Sequence, residues 1–165
     1  MRLFDSSALN PGVARREVLG WAMYDFANSG YTTVVLTAVF SAYFVGGLAE
    51  GAPWATLAWT AALSLSYLIV MLTIPVIGAH ADAKGAKKRA LAWSTLACVV
   101  ATAALAATPA LTGSSAIWAA LGLVVLSNVF YSYGESLCAA FLPELARPQA
   151  MLSLIHISEP TRRYA

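Results

Sequence analysis

The chain has 165 residues, 59% of them hydrophobic and only 11% charged, with a mean hydropathy of +0.69. An ordinary soluble domain carries roughly 25% charged residues, so this composition excludes one and predicts a membrane protein. A net charge of only +2, with the basic residues in short clusters beside apolar runs, excludes nucleic acid as an expected partner.

Crossing a bilayer core takes about 20 helical residues, so this length holds only a handful of spans. Residues 1–17 are polar, with Arg2, Arg15 and Arg16 and an Asn10-Pro11-Gly12 turn signal, and they read as a cytoplasmic lead-in. The apolar run after Arg16 is far longer than the 7–15 residues or so of a signal peptide, so no cleavage is expected. Val18 to Val45 is predicted as the first span, interrupted by Asp25, Asn28 and Ser29. Gly46 to Pro53 has no Lys or Arg. The second span is predicted over Ala55 to Ile77, with Pro75 near its end, followed by a charged loop from Gly78 to Arg89. The third is predicted over Ala90 to Ala107, rich in small residues suited to close helix packing. Thr108 to Ser115 again lacks basic residues, and the fourth span is predicted over Ala116 to Phe141.

Lys84, Lys87, Lys88 and Arg89 make the central loop the densest basic cluster of the chain. Short loops rich in Lys and Arg stay cytoplasmic. Basic residues in the lead-in, in this loop and at Arg147, with none in the other two loops, therefore predict a cytoplasmic N-terminus and four crossings within residues 18–150.

Leu152-Ser153-Leu154-Ile155-His156-Ile157-Ser158-Glu159-Pro160-Thr161-Arg162 is similar, residue for residue, to the in-frame translation of a transposon adapter used in sequencing libraries. Residues 151–165 are therefore expected to be read-through. The natural protein would then be longer than this chain, and His156 would not be a site.

An acid at the centre of a spanning helix costs about 2.5–3.5 kcal/mol to insert, so such residues face a bundle interior or a wet cavity. Asp25 and Glu135 are the candidates here, both expected on the cytoplasmic half of their spans. Trp21, Asp25, Asn28 and Thr32 share one face of an α-helix, as do Asn128, Tyr131 and Glu135. These polar stripes predict a pathway for solute or protons through Asp25, Asn28, Asn128, Tyr131 and Glu135. The alternative for the same residues is helix packing through interhelical hydrogen bonds. Asp82 is expected to accept hydrogen bonds from the first turn of the next helix. His80 and Asp82 supply too few ligands for a metal, and Cys98 and Cys138 are expected as small buried hydrophobes, so no metal or cofactor is predicted.

Gly78, Asp82, Gly85 and the pair Lys87-Lys88 have the spacing of a known loop. They resemble the signature between the second and third helices of major facilitator superfamily transporters, although Ala83 stands where that family usually has a basic residue. Gly20-Trp21-Ala22-Met23-Tyr24-Asp25-Phe26-Ala27-Asn28-Ser29-Gly30-Tyr31 resembles the first-helix motif of one branch, the fungal vacuolar amino-acid effluxers of autophagy and their bacterial relatives. Phe141-Leu142-Pro143-Glu144-Leu145 is similar to that branch's fourth-helix exit. The resemblance implies an all-α polytopic fold, in which this chain supplies four transmembrane helices of an incomplete N-terminal six-helix half. It places Asp25 and Glu135 beside a central cavity at inversion-related positions. It also implies that Gly78, Asp82, Gly85, Lys87, Lys88 and Arg89 form a conformational latch, with a partner among C-terminal helices this chain lacks.

The expected function is that of a secondary transporter in the cytoplasmic (inner) membrane, moving small solutes by alternating access, with amino acids as the candidate cargo and protons as the candidate coupling ion. A complete four-helix structural or assembly protein is the alternative. No paired His-Glu motif, activated nucleophile or phosphate-cradling glycine loop suggests an enzyme.

Overall fold

The computed structural model describes residues 10–83 and 85–145; residues 151–165, expected to be read-through, lie outside them. The described residues contain no strand. Four helical stretches are long and apolar enough to cross a membrane: Arg15–Leu48, Ala55–Ala83, Lys87–Ala110 and Ser114–Leu145. The four expected crossings are present in the expected order, each longer than its apolar run.

By contacts the chain divides into two units, Met1–Gly30 with Cys138–Ala165, and Tyr31–Leu137. In the first unit the Asn10-Pro11-Gly12 signal forms a β-turn, closed by the Val13 amide on the Asn10 carbonyl at 3.2 Å, with Gly12 at φ 88°. Proline followed by a glycine of positive φ is the type II arrangement. Helix α1 (Arg15–Tyr31) starts directly after it. The Glu17 carboxylate reaches back to the Ala14 amide at 3.1 Å, half of a capping box, which carries the helix three residues earlier than the apolar run begins. Short helix α6 (Leu142–Leu145) also belongs to this unit.

In the second unit the first span is not a continuous α-helix. Residues Thr32–Ala38 and Phe44–Leu48 are π-helical and flank α2 (Val39–Tyr43). Five of the six residues in Thr32-Thr33-Val34-Val35-Leu36-Thr37 are β-branched. Such side chains crowd the preceding α-turn, and the wider π-turn relieves them. Helices α3 (Ala55–Ala83), α4 (Lys87–Leu105) and α5 (Ser114–Ala139) follow, and α3 runs through Pro75 without a break.

The expected loop from Gly78 to Arg89 is corrected by the structure. Helix α3 continues through Gly78, His80 and Asp82, and α4 resumes at Lys87, leaving residues 84–86 between them. What ends α3 is Gly85. It sits at φ 58°, its amide bonded to the Asp82 carbonyl at 3.1 Å, while the Ala86 amide reaches the Ala81 carbonyl at 2.9 Å. These are the two bonds of a Schellman cap, whose left-handed position favours glycine.

The core of the second unit is built from Val35, Leu36, Phe44, Trp59, Leu105, Ala120 and Val124. Phe44 and Phe40 lie 5.4 Å and 6.1 Å from the Trp59 ring centre, tilted in both cases. Lipid tails are as apolar as these side chains, so close van der Waals fit holds such a core in a membrane. Large apolar residues such as Leu57, Met71, Leu72, Val76 and Trp118 are more than 60% exposed, as residues facing acyl chains must be.

Candidate solute pathway

Helix α5 carries most of the polar chemistry of the second unit, on two faces. Toward the first span, the Tyr31 hydroxyl meets Ser127 Oγ at 2.7 Å and Thr32 Oγ1 meets the Tyr131 hydroxyl at 2.9 Å. The rings of Tyr31 and Tyr131 stack with centres 4.5 Å apart. Glu135 follows one helical turn further along the same face of α5. In each of the two hydroxyl pairs either oxygen can be the donor. The result is a pair of hydroxyl contacts between residues 31–32 and α5, with Glu135 one turn beyond them.

Toward α3, Asn128 Nδ2 donates to Ser66 Oγ at 2.6 Å, and Ser66 Oγ donates to the Leu63 carbonyl at 2.7 Å. Asn128 and Ser66 are both fully buried. The other half of the amide is different: Asn128 Oδ1 has no hydrogen-bond partner, alone in this respect among buried side-chain atoms of the described residues. Farther along the same pair of helices, Thr73 Oγ1 bonds the Tyr133 hydroxyl.

Of the predicted pathway residues, the structure thus ties Tyr131 to Thr32 of the first span and places Asn128 on a separate contact with α3. Glu135 is exposed. Asp25 and Asn28 lie half-buried on α1 in the other unit, where the Asp25 carbonyl accepts from Ser29 Oγ at 3.4 Å. Trp21, from the same stripe, donates its indole N–H to the Cys138 carbonyl at 2.9 Å.

Tyr31, Ser66, Thr73, Ser127 and Tyr133 were not legible as site residues. The available signal was spacing: Ser66 and Thr73 fall at i and i+7 on α3, Ser127 and Tyr131 at i and i+4 on α5, and each pair shares a helix face.

Of the residues expected to form a latch, Asp82 and Lys87 come together. Lys87 Nζ lies 2.9 Å from Asp82 Oδ1, with side chains 21% and 60% exposed. Asp82 thus meets the first turn of α4, as expected from the sequence, through the Lys87 side chain, while Ala86 at the N-cap makes no side-chain cap bond. The short connection explains this, because Asp82 belongs to the last turn of α3 and reaches the Lys87 side chain first. Lys88 and Arg89 are exposed in the first turn of α4, and Gly78 is an interior residue of α3.

A family model described as vacuole effluxer Atg22 like matches residues 58–159, more than half of the chain and extending into the 151–165 segment. The chain belongs to this Atg22-like family. It is also 33% identical over 141 residues to an uncharacterized MFS-type transporter, YxiO, of Bacillus subtilis, covering 82% of the present chain. The chain spans only 31% of that relative's length. No solved structure matches. The Atg22-like match and the four spans make this a multi-pass membrane protein of a transporter family. The match covers the α3–α4 connection and all of α5, while the first-helix motif with Asp25 and Asn28 lies before it.

Proposed function

We propose that the chain is part of a secondary transporter of the cytoplasmic membrane, its N-terminus on the cytoplasmic side, exporting small solutes such as amino acids by alternating access. The transporter moves solute and catalyses no covalent chemistry. Helices beyond this chain complete the cavity, because rocking two halves about a shared site needs both.

The observation that carries the reading is Asn128. A buried acceptor without a donor costs about 1–3 kcal/mol. An amide that serves only packing would have both halves engaged or would be replaced by an apolar side chain. An acceptor kept free inside a membrane bundle is suited to a group that arrives and leaves. Tyr131 and Glu135 supply a second polar line on the same helix, fit for proton exchange, and Asp25 and Asn28 are the corresponding groups on α1.

The Asp82–Lys87 pair is proposed as the latch. Partly exposed ion pairs contribute about 0.2–1 kcal/mol, weak enough to be made and broken in each cycle. In vesicles containing the full-length transporter, Asp25→Asn and Glu135→Gln are expected to reduce transport more than membrane abundance. Equal losses in both would mean that the acids serve packing alone. Asp82→Asn is expected to slow turnover while leaving solute binding intact, and unchanged turnover would remove the latch.

A further inference from the structure

The last four carbonyls of a helix have no partner within it. At the end of the fourth span, three of them find one far away in sequence. Asn10 Nδ2 donates to the Pro143 carbonyl at 3.0 Å and to the Glu144 carbonyl at 2.9 Å, while the Asn10 amide donates to the Leu145 carbonyl at 3.1 Å. One residue of the lead-in therefore caps α6 from 133 positions away. Nothing between Asn10 and α1 has slack. The type II turn, the Ala14–Glu17 capping contact and the first helical turn follow one another without a free residue. A second tie lies farther along the same helices, where the Trp21 indole donates to the Cys138 carbonyl at 2.9 Å.

We infer that Asn10 is a positioning residue: its cap on Pro143, Glu144 and Leu145, with the Trp21–Cys138 tie, straps the start of the first span to the end of the fourth, so that the two ends move as one body throughout the transport cycle. The carbonyls it satisfies belong to the Leu142–Leu145 turn, which gives that exit a structural task. Asparagine is required because only a side chain with an N–H₂ group offers two donors at this reach. Aspartate has the same shape and presents oxygen to oxygen.

The part of this inference that concerns the cycle rests on the transporter reading, so the test has arms that do not. In the full-length transporter, Asn10→Ala is expected to lower the midpoint of thermal unfolding by a few degrees and Asn10→Asp to lower it further. An unchanged midpoint for both, or Asp equal to wild type, would overturn the strap. The second arm places cysteines at positions 10 and 144 in a background without native cysteines, with a protease site inserted in the 111–113 connection to reveal the cross-link on a gel. Oxidation is expected to join the two fragments almost completely and to leave the initial transport rate within about twofold of the reduced protein. Arrested transport that returns on reduction would show a contact that must open, and would overturn the rigid strap. Full-length protein that keeps Asn10 and still fails to transport would defeat the transporter reading, with the thermal midpoints still deciding the cap.

Discussion

The half-satisfied amide of Asn128 leads to an unusual mutational expectation: removing a buried hydrogen-bonding residue should cost the fold almost nothing. Asn128 makes one interhelical bond, to Ser66, and such bonds in membrane proteins average about 0.6 kcal/mol. Against that stands the free Oδ1, whose burial costs about 1–3 kcal/mol. Asn128→Leu removes both. Ser66 loses nothing essential, since its hydroxyl still donates to the Leu63 carbonyl. The slightly larger side chain adds packing strain of about 1–3 kcal/mol at worst, so the variant should unfold within about 1–2 kcal/mol of wild type. Ser66→Ala should behave oppositely, because it leaves Asn128 with neither end of its amide engaged, at about 1–3 kcal/mol. In the Asn128→Leu background the same Ser66→Ala change should cost close to nothing. Reversible unfolding of the four proteins in detergent gives the cycle, and transport of each in vesicles gives the functional half. A coupling near zero, or a loss above about 3 kcal/mol for Asn128→Leu alone, would refute the reasoning and make the amide a packing element. Asn128→Leu with a stable fold and lost transport would be the signature of a solute contact.

The α3–α4 connection gives a second expectation. Gly85→Ala should destabilise by about 1–2 kcal/mol because a Cβ is unfavourable in the left-handed region, and Gly85→Asn should recover part of it; thermal midpoints of the three proteins test this. Exchanging the pair as Asp82→Lys with Lys87→Asp should restore more turnover than either single change, whereas each single change alone should alter stability by less than about 1 kcal/mol. Tyr131→Phe should break the Thr32–Tyr131 bond while keeping the ring stack on Tyr31, reducing transport with little change in thermal midpoint. A midpoint lowered as much as by Tyr131→Ala would assign the hydroxyl to structure instead.

How far the sequence reached depended on which physical signal wrote each feature. The four crossings were legible because roughly 20 apolar residues and the placement of Lys and Arg are long-range compositional signals. Helix ends were not, since they depend on single caps. Arg15 and Glu17 read as polar lead-in, yet Glu17 is what starts α1. Gly78 and Asp82 read as loop, yet Gly85 alone ends α3. Asp82 was singled out with a partner expected in the first turn of the next helix or in a helix beyond this chain, and the first of these is met by Lys87, five residues on. At the candidate site, Asn128, Tyr131 and Glu135 were singled out through their i, i+3 and i+7 spacing. Tyr31 and Ser66 were missed because a hydroxyl in an apolar span gives no sign of its partner until the helices are laid side by side. The same limit applied to Asn10: the Pro-Gly turn was readable, and the carbonyls it serves lie more than 130 residues away.

The π-turns were the least readable feature, and one of them supports an expectation of its own. A run of β-branched residues predicts a span equally well in either helical form, so hydropathy cannot distinguish them. Thr37 can. Its hydroxyl donates to the Thr32 carbonyl at 2.8 Å, five residues back, which is the reach of a π-turn and not of an α-turn, where a hydroxyl bonds three or four residues back. Ser41, just beyond the π segment, makes the ordinary four-residue bond to the Thr37 carbonyl at 2.7 Å. Thr37→Val keeps the shape and the β-branching and deletes only the hydroxyl. If that bond selects the π form, the variant should let the segment relax toward α-helix. Such a change advances the register by about one residue, or about 100°, and swings Phe44 away from Trp59. The reporter is Trp59 fluorescence, because the ring lies 5.4 Å from Phe44 and 7% exposed in the core. A red-shifted Trp59 emission with Thr37→Val, reversed by Thr37→Ser, is expected in a variant where the other four tryptophans are replaced. Unshifted emission in Thr37→Val would show that crowding by Thr32, Thr33, Val34 and Val35 suffices to hold the π-turn without the hydroxyl.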